Sequence, residues 1–147
     1  MSFLLDASAI IPLVMQTGKS VVTGSKRAVL HTTELGIYEA CNGFWKLATL
    51  VKTVNPEDAA EMIAVLSELA KRNLAVISFA RIDLHKTLQV ATQSRLTFYD
   101  ASYIIASQQA QAVLVTDDKK LCSAAARIVK SVTFKEFQER IGKPIDE

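Results

Sequence analysis

The sequence predicts an α/β fold: a single domain with a mostly parallel central sheet of about four to five strands, flanked by helices. Short apolar runs alternate along the chain with helical segments, which is the pattern of parallel-sheet proteins. A length of 147 residues is enough for one domain with its own core. The composition, 50% hydrophobic and 22% charged, is typical of a compact soluble protein. We therefore expect one domain over residues 1–147, with a frayed tail from about 141 to 147.

The first predicted strand is the apolar run Ser2–Asp6, with Asp6 at its C-terminal edge. Ser8 is a suitable N-cap for a short helix over Ala9–Gln16. The segment Thr17–Arg27 contains two glycines and three basic residues, and it is compatible with either a loop or a poor helix.

The second predicted strand is Ala28–His31, and the helix after it is capped by Thr32 or Thr33 and runs to about Lys52. The clearest helix start in the sequence opens the segment Asn55–Arg72, where an asparagine cap is followed by proline and two acids.

The rest of the chain continues the alternation, with apolar runs predicted as strands and the capped segments between them as helices. The strands are Ala75–Phe79, Ala112–Thr116 and Ile128–Val132, and the helices are Asp83–Ser94, Tyr99–Gln109, Lys119–Ala126 and a last one capped by Thr133 and ending near Arg140.

Several carboxylates stand where these strands and helices meet. Asp6 and the pair Asp117–Asp118 follow apolar strands, and Glu39 and Asp100 lie on helices that can reach the same edge. In open parallel sheets, sites form beyond the carboxyl ends of the strands. Burying several carboxylates together is costly unless a cation neutralises them, so the pattern permits one acidic, metal-binding cluster.

The types of candidate ligand indicate which metal ion could bind and which reaction it could support. Carboxylates without histidine or cysteine favour Mg²⁺ or Mn²⁺ over zinc, and such an ion can activate water against a phosphodiester. The five glycines form no phosphate-binding loop, which argues against nucleoside triphosphate hydrolysis. A net charge of +2 is too small to indicate nucleic-acid binding by itself.

The cysteines and the hydropathy of the chain indicate the cellular compartment in which we expect the protein. Cys41 and Cys122 lie in apolar helical segments, and no secretory signal precedes them, so we expect reduced, buried thiols in a cytoplasmic protein. No stretch approaches the roughly 20 apolar residues of a membrane span.

Some residues allow a structural explanation as well as a functional one. Asp100 near a helix start is also a suitable helix cap, and Glu34 competes with Glu39 but belongs to a capping first turn. Asn42 either orients Glu39 or bonds on the helix surface, and Tyr103 is expected to pack in the core or at an interface.

Four short motifs, in order, carry a family resemblance. They are Leu4-Leu5-Asp6-Ala7-Ser8-Ala9, Glu34-Leu35-Gly36-Ile37-Tyr38-Glu39-Ala40-Cys41-Asn42, Thr97-Phe98-Tyr99-Asp100-Ala101-Ser102-Tyr103 and Leu114-Val115-Thr116-Asp117-Asp118-Lys119-Lys120-Leu121. Together they resemble the signatures of PIN-domain nucleases, and more narrowly of VapC-type toxin ribonucleases from toxin–antitoxin pairs. The resemblance covers almost the whole chain.

This resemblance implies a metal-binding, catalytic quartet of Asp6, Glu39, Asp100 and Asp118 that holds Mg²⁺ or Mn²⁺. It also implies a supporting hydrogen bond from Thr116, cleavage of RNA, homodimerisation and inhibition by an antitoxin. Many relatives carry a further acid where this chain has Lys120, so a fifth ligand would have to be Asp117.

Ser8, Asp117 and Asn42 are the other candidate supporting residues. The residues considered for RNA phosphates are Lys46, Arg95, Lys119 and Lys120. The alternatives to a toxin are a housekeeping or DNA-directed PIN nuclease and a non-catalytic PIN-like binding module, although the full set of acids argues against the last.

Overall fold

A computed structural model describes residues 1–17 and 28–141 of the chain. The described strands are β1 (Ser2–Leu5), β2 (Val29–Thr33), β3 (Leu74–Ile77), β4 (Val113–Val115) and β5 (Ser131–Val132). The described helices are α1 (Ala7–Thr17), α2 (Glu34–Lys46), α3 (Pro56–Arg72), α4 (Leu84–Ser94), α5 (Phe98–Gln109), α6 (Lys119–Ala125) and α7 (Phe134–Ile141). A π-helical segment, Leu47–Val51, continues α2, and a 3-10 turn, Phe79–Arg81, follows β3.

The strands form one sheet in the order β3-β2-β1-β4-β5, and every neighbouring pair is parallel. β1 is central, with Leu4 level with His31 on one side and Leu114 on the other. The predicted α/β class and parallel sheet are therefore confirmed. Since all strands run the same way, the residues that follow β1, β2 and β4 meet at one edge, where sites form in such sheets.

Both faces of the sheet are covered by helices. Successive strand residues point to opposite faces, and in β1 the fully buried Phe3 and Leu5 belong to one hydrophobic cluster while Leu4 belongs to another. The first cluster takes apolar residues from α1, α2, α3 and α7, and the second from α5 and α6. This packing explains why the β1 sequence is a continuous apolar run.

The start of α2 is fixed by two threonines with different roles. Thr33 is the N-cap, because its hydroxyl accepts a 3.1 Å hydrogen bond from the Gly36 amide. Thr32 instead donates a 2.7 Å hydrogen bond to the Leu5 carbonyl and so ties β2 to β1. A Cβ at Gly36 would overlap the Thr32 hydroxyl, so glycine lets α2 approach the sheet.

The structure corrects the prediction that Ser8 is the N-cap of the first helix. α1 already begins at Ala7, and Asp6 caps it: its backbone carbonyl and its side chain both accept hydrogen bonds from the Ala9 amide. Ser8 lies in the first turn with its hydroxyl turned to Asp6.

The remaining differences are in element lengths. β2 extends to Thr33, α2 gives way to a π-helical segment after Lys46, and β5 has only two residues. The predicted tail over 141–147 falls outside the described residues except for Ile141, which belongs to α7. The undecided segment Thr17–Arg27 lies outside them except for Thr17, which ends α1.

Cys41 and Cys122 are free thiols and only partly buried, rather than fully buried as expected. Among the described helices, none combines the length and apolar character that crossing a membrane requires.

Candidate active site

Asp6 is the buried centre of the site. It follows β1 and its side chain is only 4% exposed. Oδ1 accepts hydrogen bonds from the Ser8 hydroxyl (2.6 Å) and the Ala9 amide (3.1 Å), and Oδ2 accepts one from the Thr116 hydroxyl (2.5 Å). These bonds fix the carboxylate and join the ends of β1 and β4.

Burial also changes the acidity of Asp6. Loss of solvent raises its pKa to about 6 from the ordinary 3.8, although the hydrogen bonds from Ser8 and Thr116 oppose the shift. The charge of Asp117 adds a small further increase. The site therefore holds a carboxylate whose negative charge is destabilised in the folded protein, and a nearby cation would relieve that cost.

The two adjacent acids after β4 face different partners. Oδ1 of Asp118 accepts hydrogen bonds from the amides of Lys120 (2.9 Å) and Leu121 (3.1 Å), which makes Asp118 the N-cap of α6. Oδ1 of Asp117 accepts a 2.9 Å hydrogen bond from the Phe134 amide at the start of α7. Asp117 is thus directed toward α7, whereas the Asp118 backbone amide is held by the Thr116 hydroxyl at 3.1 Å.

Glu39 reaches the site from α2. Its Oε1 accepts a 2.6 Å hydrogen bond from the hydroxyl of Tyr103, a residue of α5 that is 2% exposed. The pKa of Tyr103 is raised far above its ordinary value. The main cause is burial, and the hydrogen bond and charge of Glu39 and the charge of Asp6 add to it. A hydrogen bond with the Ala7 backbone opposes the shift. The hydroxyl therefore keeps its proton and lies between Glu39 and the end of β1.

Asp100 lies in the first turn of α5 but is not the helix cap. Thr97 is the N-cap, because its hydroxyl accepts a 3.1 Å hydrogen bond from the Asp100 amide. Burial and the charge of Asp118 raise the pKa of the Asp100 side chain, and the positive charge of Lys120 counteracts them. Asp100, Asp118 and Lys120 therefore lie within electrostatic reach of one another.

Glu34 serves a different region. Its Oε2 accepts a 2.9 Å hydrogen bond from the amide of Phe79, at the start of the 3-10 turn after β3. This contact gives Glu34 a structural partner beside β3, in keeping with the prediction that Glu34 has a structural role and Glu39 a role in the site.

The donor set suits a hard divalent cation, since it consists of carboxylates from four elements at one edge of the sheet. In residues 1–17 and 28–141, however, no three acidic, histidine or cysteine side chains are close enough to hold a metal ion as they are oriented. In this arrangement Asp6 is turned to Thr116 and Ser8, and Asp118 to the amides of its own helix. Metal binding would require these side chains to rotate, so the quartet stays a prediction.

An open groove of about 500 Å³ borders the site beside Glu39 and is lined by residues that include Ile11, Tyr38, Asn42 and Lys46. Asn42 and Lys46 are exposed on the same helix as Glu39, one and two turns further on. This arrangement places a basic residue and an amide along one wall.

The other basic residues considered for RNA are spread around the edge. Lys120 is close enough to lower the pKa of Asp100, and Lys119 is exposed at the start of α6. Arg95 ends α4 in the left-handed conformation with φ of 50° and is exposed, two residues before the Thr97 cap. Lys46 lines the groove and Lys120 lies near Asp100, while contact of any of the four with RNA stays a prediction.

Sequence reasoning missed the polar role of Tyr103, which was expected only to pack. The available signal was its position three residues after Asp100, because residues three apart share a face of a helix.

No protein-family model matches the sequence. Exonuclease VapC9 of Pyrobaculum aerophilum is 36% identical to this chain over 119 residues, which cover 81% of the chain and 82% of the relative. The chain belongs to the VapC family of PIN-domain proteins. A second VapC relative, Ribonuclease VapC3 of the same organism, is 31% identical over 134 residues, covering 88% of this chain and 98% of the relative.

Solved structures share the fold of this chain. The crystal structure of PAE2754 from Pyrobaculum aerophilum is 29% identical in sequence and superposes with a TM-score of 0.73. The match covers 97% of this chain and 98% of the PAE2754 chain. VapBC-1 from nontypeable Haemophilus influenzae is 16% identical and superposes with a TM-score of 0.62. The match covers 92% of this VapC chain and 99% of the matched chain, and at this identity it supports the fold alone.

Proposed function

We propose that this chain is the toxin of a VapBC-type toxin–antitoxin pair and acts in the cytoplasm as a metal-dependent endoribonuclease. The observation that carries the proposal is the position of Asp6, Glu39, Asp100 and Asp118, which a VapC-family chain brings to one edge of its sheet from β1, α2, α5 and the β4–α6 junction. The VapC names of the relatives support the same activity class.

The four carboxylates would hold Mg²⁺ or Mn²⁺, which when bound supplies an activated water and stabilises the leaving oxygen of a phosphodiester. Thr116 and Ser8 hold the Asp6 carboxylate through hydrogen bonds, and the side chain would turn from these partners to coordinate the ion. Lys46 beside the groove and Lys120 beside Asp100 would contact RNA phosphates.

Partner surfaces are available outside the site. Among the described residues, Trp45 at the end of α2 is 48% exposed, and Leu50 and Val51 in the π-helical segment after it are 61% and 60% exposed. Large exposed apolar patches mark protein interfaces. We propose that the chain forms a homodimer and binds an antitoxin. Phe44, next to Trp45 in the chain, is fully buried in the core and cannot contribute to such a surface.

The decisive experiment incubates purified protein with linear and circular RNAs and with DNA, with and without Mg²⁺ or Mn²⁺. Circular RNA has no ends, so its metal-dependent cleavage identifies an endonuclease, whereas cleavage of linear RNA alone identifies the exonuclease activity that one relative's name carries. Asp6→Asn is the inactive control. Cleavage that persists in EDTA or in this variant would contradict the proposal, and cleavage of DNA alone would favour the DNA-directed alternative.

Assembly is tested separately. Light scattering at micromolar concentration should give the mass of a dimer, and co-expression with the neighbouring gene should yield a complex. A strictly monomeric mass would contradict the homodimer, and failure of the two products to co-purify would contradict the antitoxin.

A further inference from the structure

Tyr103 is held rigidly between α5 and α2. Its ring is buried, and a Cβ at Gly36 would be only 3.5 Å from the ring atom Cε1, so the ring packs directly on the α2 backbone. Gly36 and Glu39 are three residues apart and share a face of α2. The tyrosine ring therefore lies against the same side of the helix that presents the Glu39 carboxylate.

Glu39 lies on an exposed part of α2, and its carboxylate needs a hydrogen-bond partner to be ordered. The residue is exposed, and fixing a free glutamate side chain costs rotamer entropy. Among the side-chain hydrogen bonds of the described residues, the one that reaches the Glu39 carboxylate comes from the buried Tyr103 hydroxyl, at 2.6 Å. Asp6, by contrast, is held by Ser8, Thr116 and the Ala9 amide.

We infer that Tyr103 is a positioning residue for metal binding: its hydroxyl fixes one oxygen of Glu39 and so directs the other toward a cation shared with Asp6. This inference rests on the proposed function. Groups that orient a metal ligand through a hydrogen bond contribute to affinity, and their loss costs about 10–100-fold in metal binding or activity. Tyr103 and Asp100 lie on one face of α5, so the same helix supplies a predicted ligand and orients another.

The test separates this role from core packing. Tyr103→Phe keeps the ring in its place against Gly36 and removes only the hydroxyl. Tyr99→Phe is the matched control, since Tyr99 lies on the same helix and is 62% exposed. Isothermal titration calorimetry with Mn²⁺ compares the wild type, these two variants, Glu39→Gln and the Tyr103→Phe/Glu39→Gln double variant.

We expect Tyr103→Phe to weaken Mn²⁺ binding by about 10–100-fold, and Tyr99→Phe to leave it unchanged. In the Glu39→Gln background, Tyr103→Phe should cause no further loss, because the hydroxyl acts through Glu39. The Mn²⁺ concentration for half-maximal RNA cleavage should rise with the dissociation constant, and excess Mn²⁺ should restore the rate. Melting curves in EDTA verify that each variant is folded.

Wild-type affinity in Tyr103→Phe, with a loss in Glu39→Gln, would overturn the inference and leave the proposed metal site intact. An additive loss in the double variant would overturn it too, since Tyr103 would then act independently of Glu39. Absence of Mn²⁺ binding by the wild type would instead show that the proposed metal-dependent function is wrong, and the inference would fall with it.

Discussion

The Thr116 hydroxyl donates a 2.5 Å hydrogen bond to Oδ2 of Asp6, although the two residues are 110 positions apart. The same hydroxyl accepts a 3.1 Å hydrogen bond from the Asp118 amide. One side chain after β4 therefore fixes both the buried acid after β1 and the backbone of the acid that caps α6.

Thr116→Val removes this hydroxyl with little change of shape. Because the Thr116 hydrogen bond lowers the pKa of Asp6, the variant should have a still higher Asp6 pKa and require a higher pH for cleavage. It should also lose about 1–3 kcal/mol of unfolding free energy, since a buried acceptor loses its donor. Rate–pH profiles test the first effect. Thr116→Ser, which retains a hydroxyl, should restore the wild-type profile, and identical profiles for Val and wild type would contradict the expectation.

The metal-free protein should lose stability as the pH rises from about 4 to about 6. The folded pKa of Asp6, about 6, exceeds the ordinary 3.8, so the folded state binds this proton more tightly than the unfolded chain. Above pH 6 the loss of unfolding free energy is complete. It is on the order of 3 kcal/mol, because each unit of pKa difference between the folded and unfolded states is worth about 1.36 kcal/mol. Denaturant unfolding in EDTA measures it. The difference between wild type and Asp6→Asn isolates this group, and a difference that does not vary with pH would refute the prediction.

Asp117 and Asp118 should differ sharply when replaced. Asp118→Ala is expected to abolish RNA cleavage, whereas Asp117→Ala should retain much of it and lose roughly 1 kcal/mol of stability with its Phe134 contact. Asp118→Asn is the informative control, because asparagine still caps α6 but lacks the charge. We expect it to fold like the wild type and remain inactive. If Asp117→Ala were the inactive variant, the assignment of the fourth acid would be wrong.

Asp100→Asn should melt higher than the wild type in EDTA and gain less from added Mn²⁺. Burial and the charge of Asp118 both disfavour the ionised Asp100 side chain, so asparagine relieves the repulsion. A metal at a hundredfold excess over its dissociation constant stabilises the wild type by about 2.7 kcal/mol, or roughly 5–10 °C in Tm. Melting curves in EDTA and in millimolar Mn²⁺, with a cleavage assay, measure the effects. A lower Tm in EDTA together with retained cleavage would contradict the four-carboxylate site.

The elements that the sequence located well are those specified by local chemistry. Asn55 caps α3 as predicted, with its side chain accepting a 2.8 Å hydrogen bond from the Asp58 amide. By contrast, β2 was predicted too short, because its last residue, Thr33, is held in the strand by pairing with Ile77 of β3. The end of β2 is therefore set by a partner strand that is distant in sequence, and the residues around Thr33 do not predict it.

The same distinction applies to the site. Sequence motifs named the four acids, and the sheet topology brings their elements to one edge. The orientation of each carboxylate depends on tertiary contacts instead: Glu39 on Tyr103, 64 residues away, and Asp117 on the Phe134 amide, 17 residues away. Membership of the site therefore stays a prediction from sequence motifs, and the hydrogen bonds of these side chains could be found only from the fold.

The central position of β1 has a consequence for how the protein is made. Asp6 directly follows β1, but β4 adds to the free edge of that strand only after Val115 and Thr116 have been synthesised. At about 5–20 residues per second, this interval lasts roughly 5–20 s. Nascent chains that stop before β4 lack the Thr116 contact and the acids that follow it. We therefore expect the nascent chain to lack nuclease activity until β4 and the acids that follow it have been synthesised.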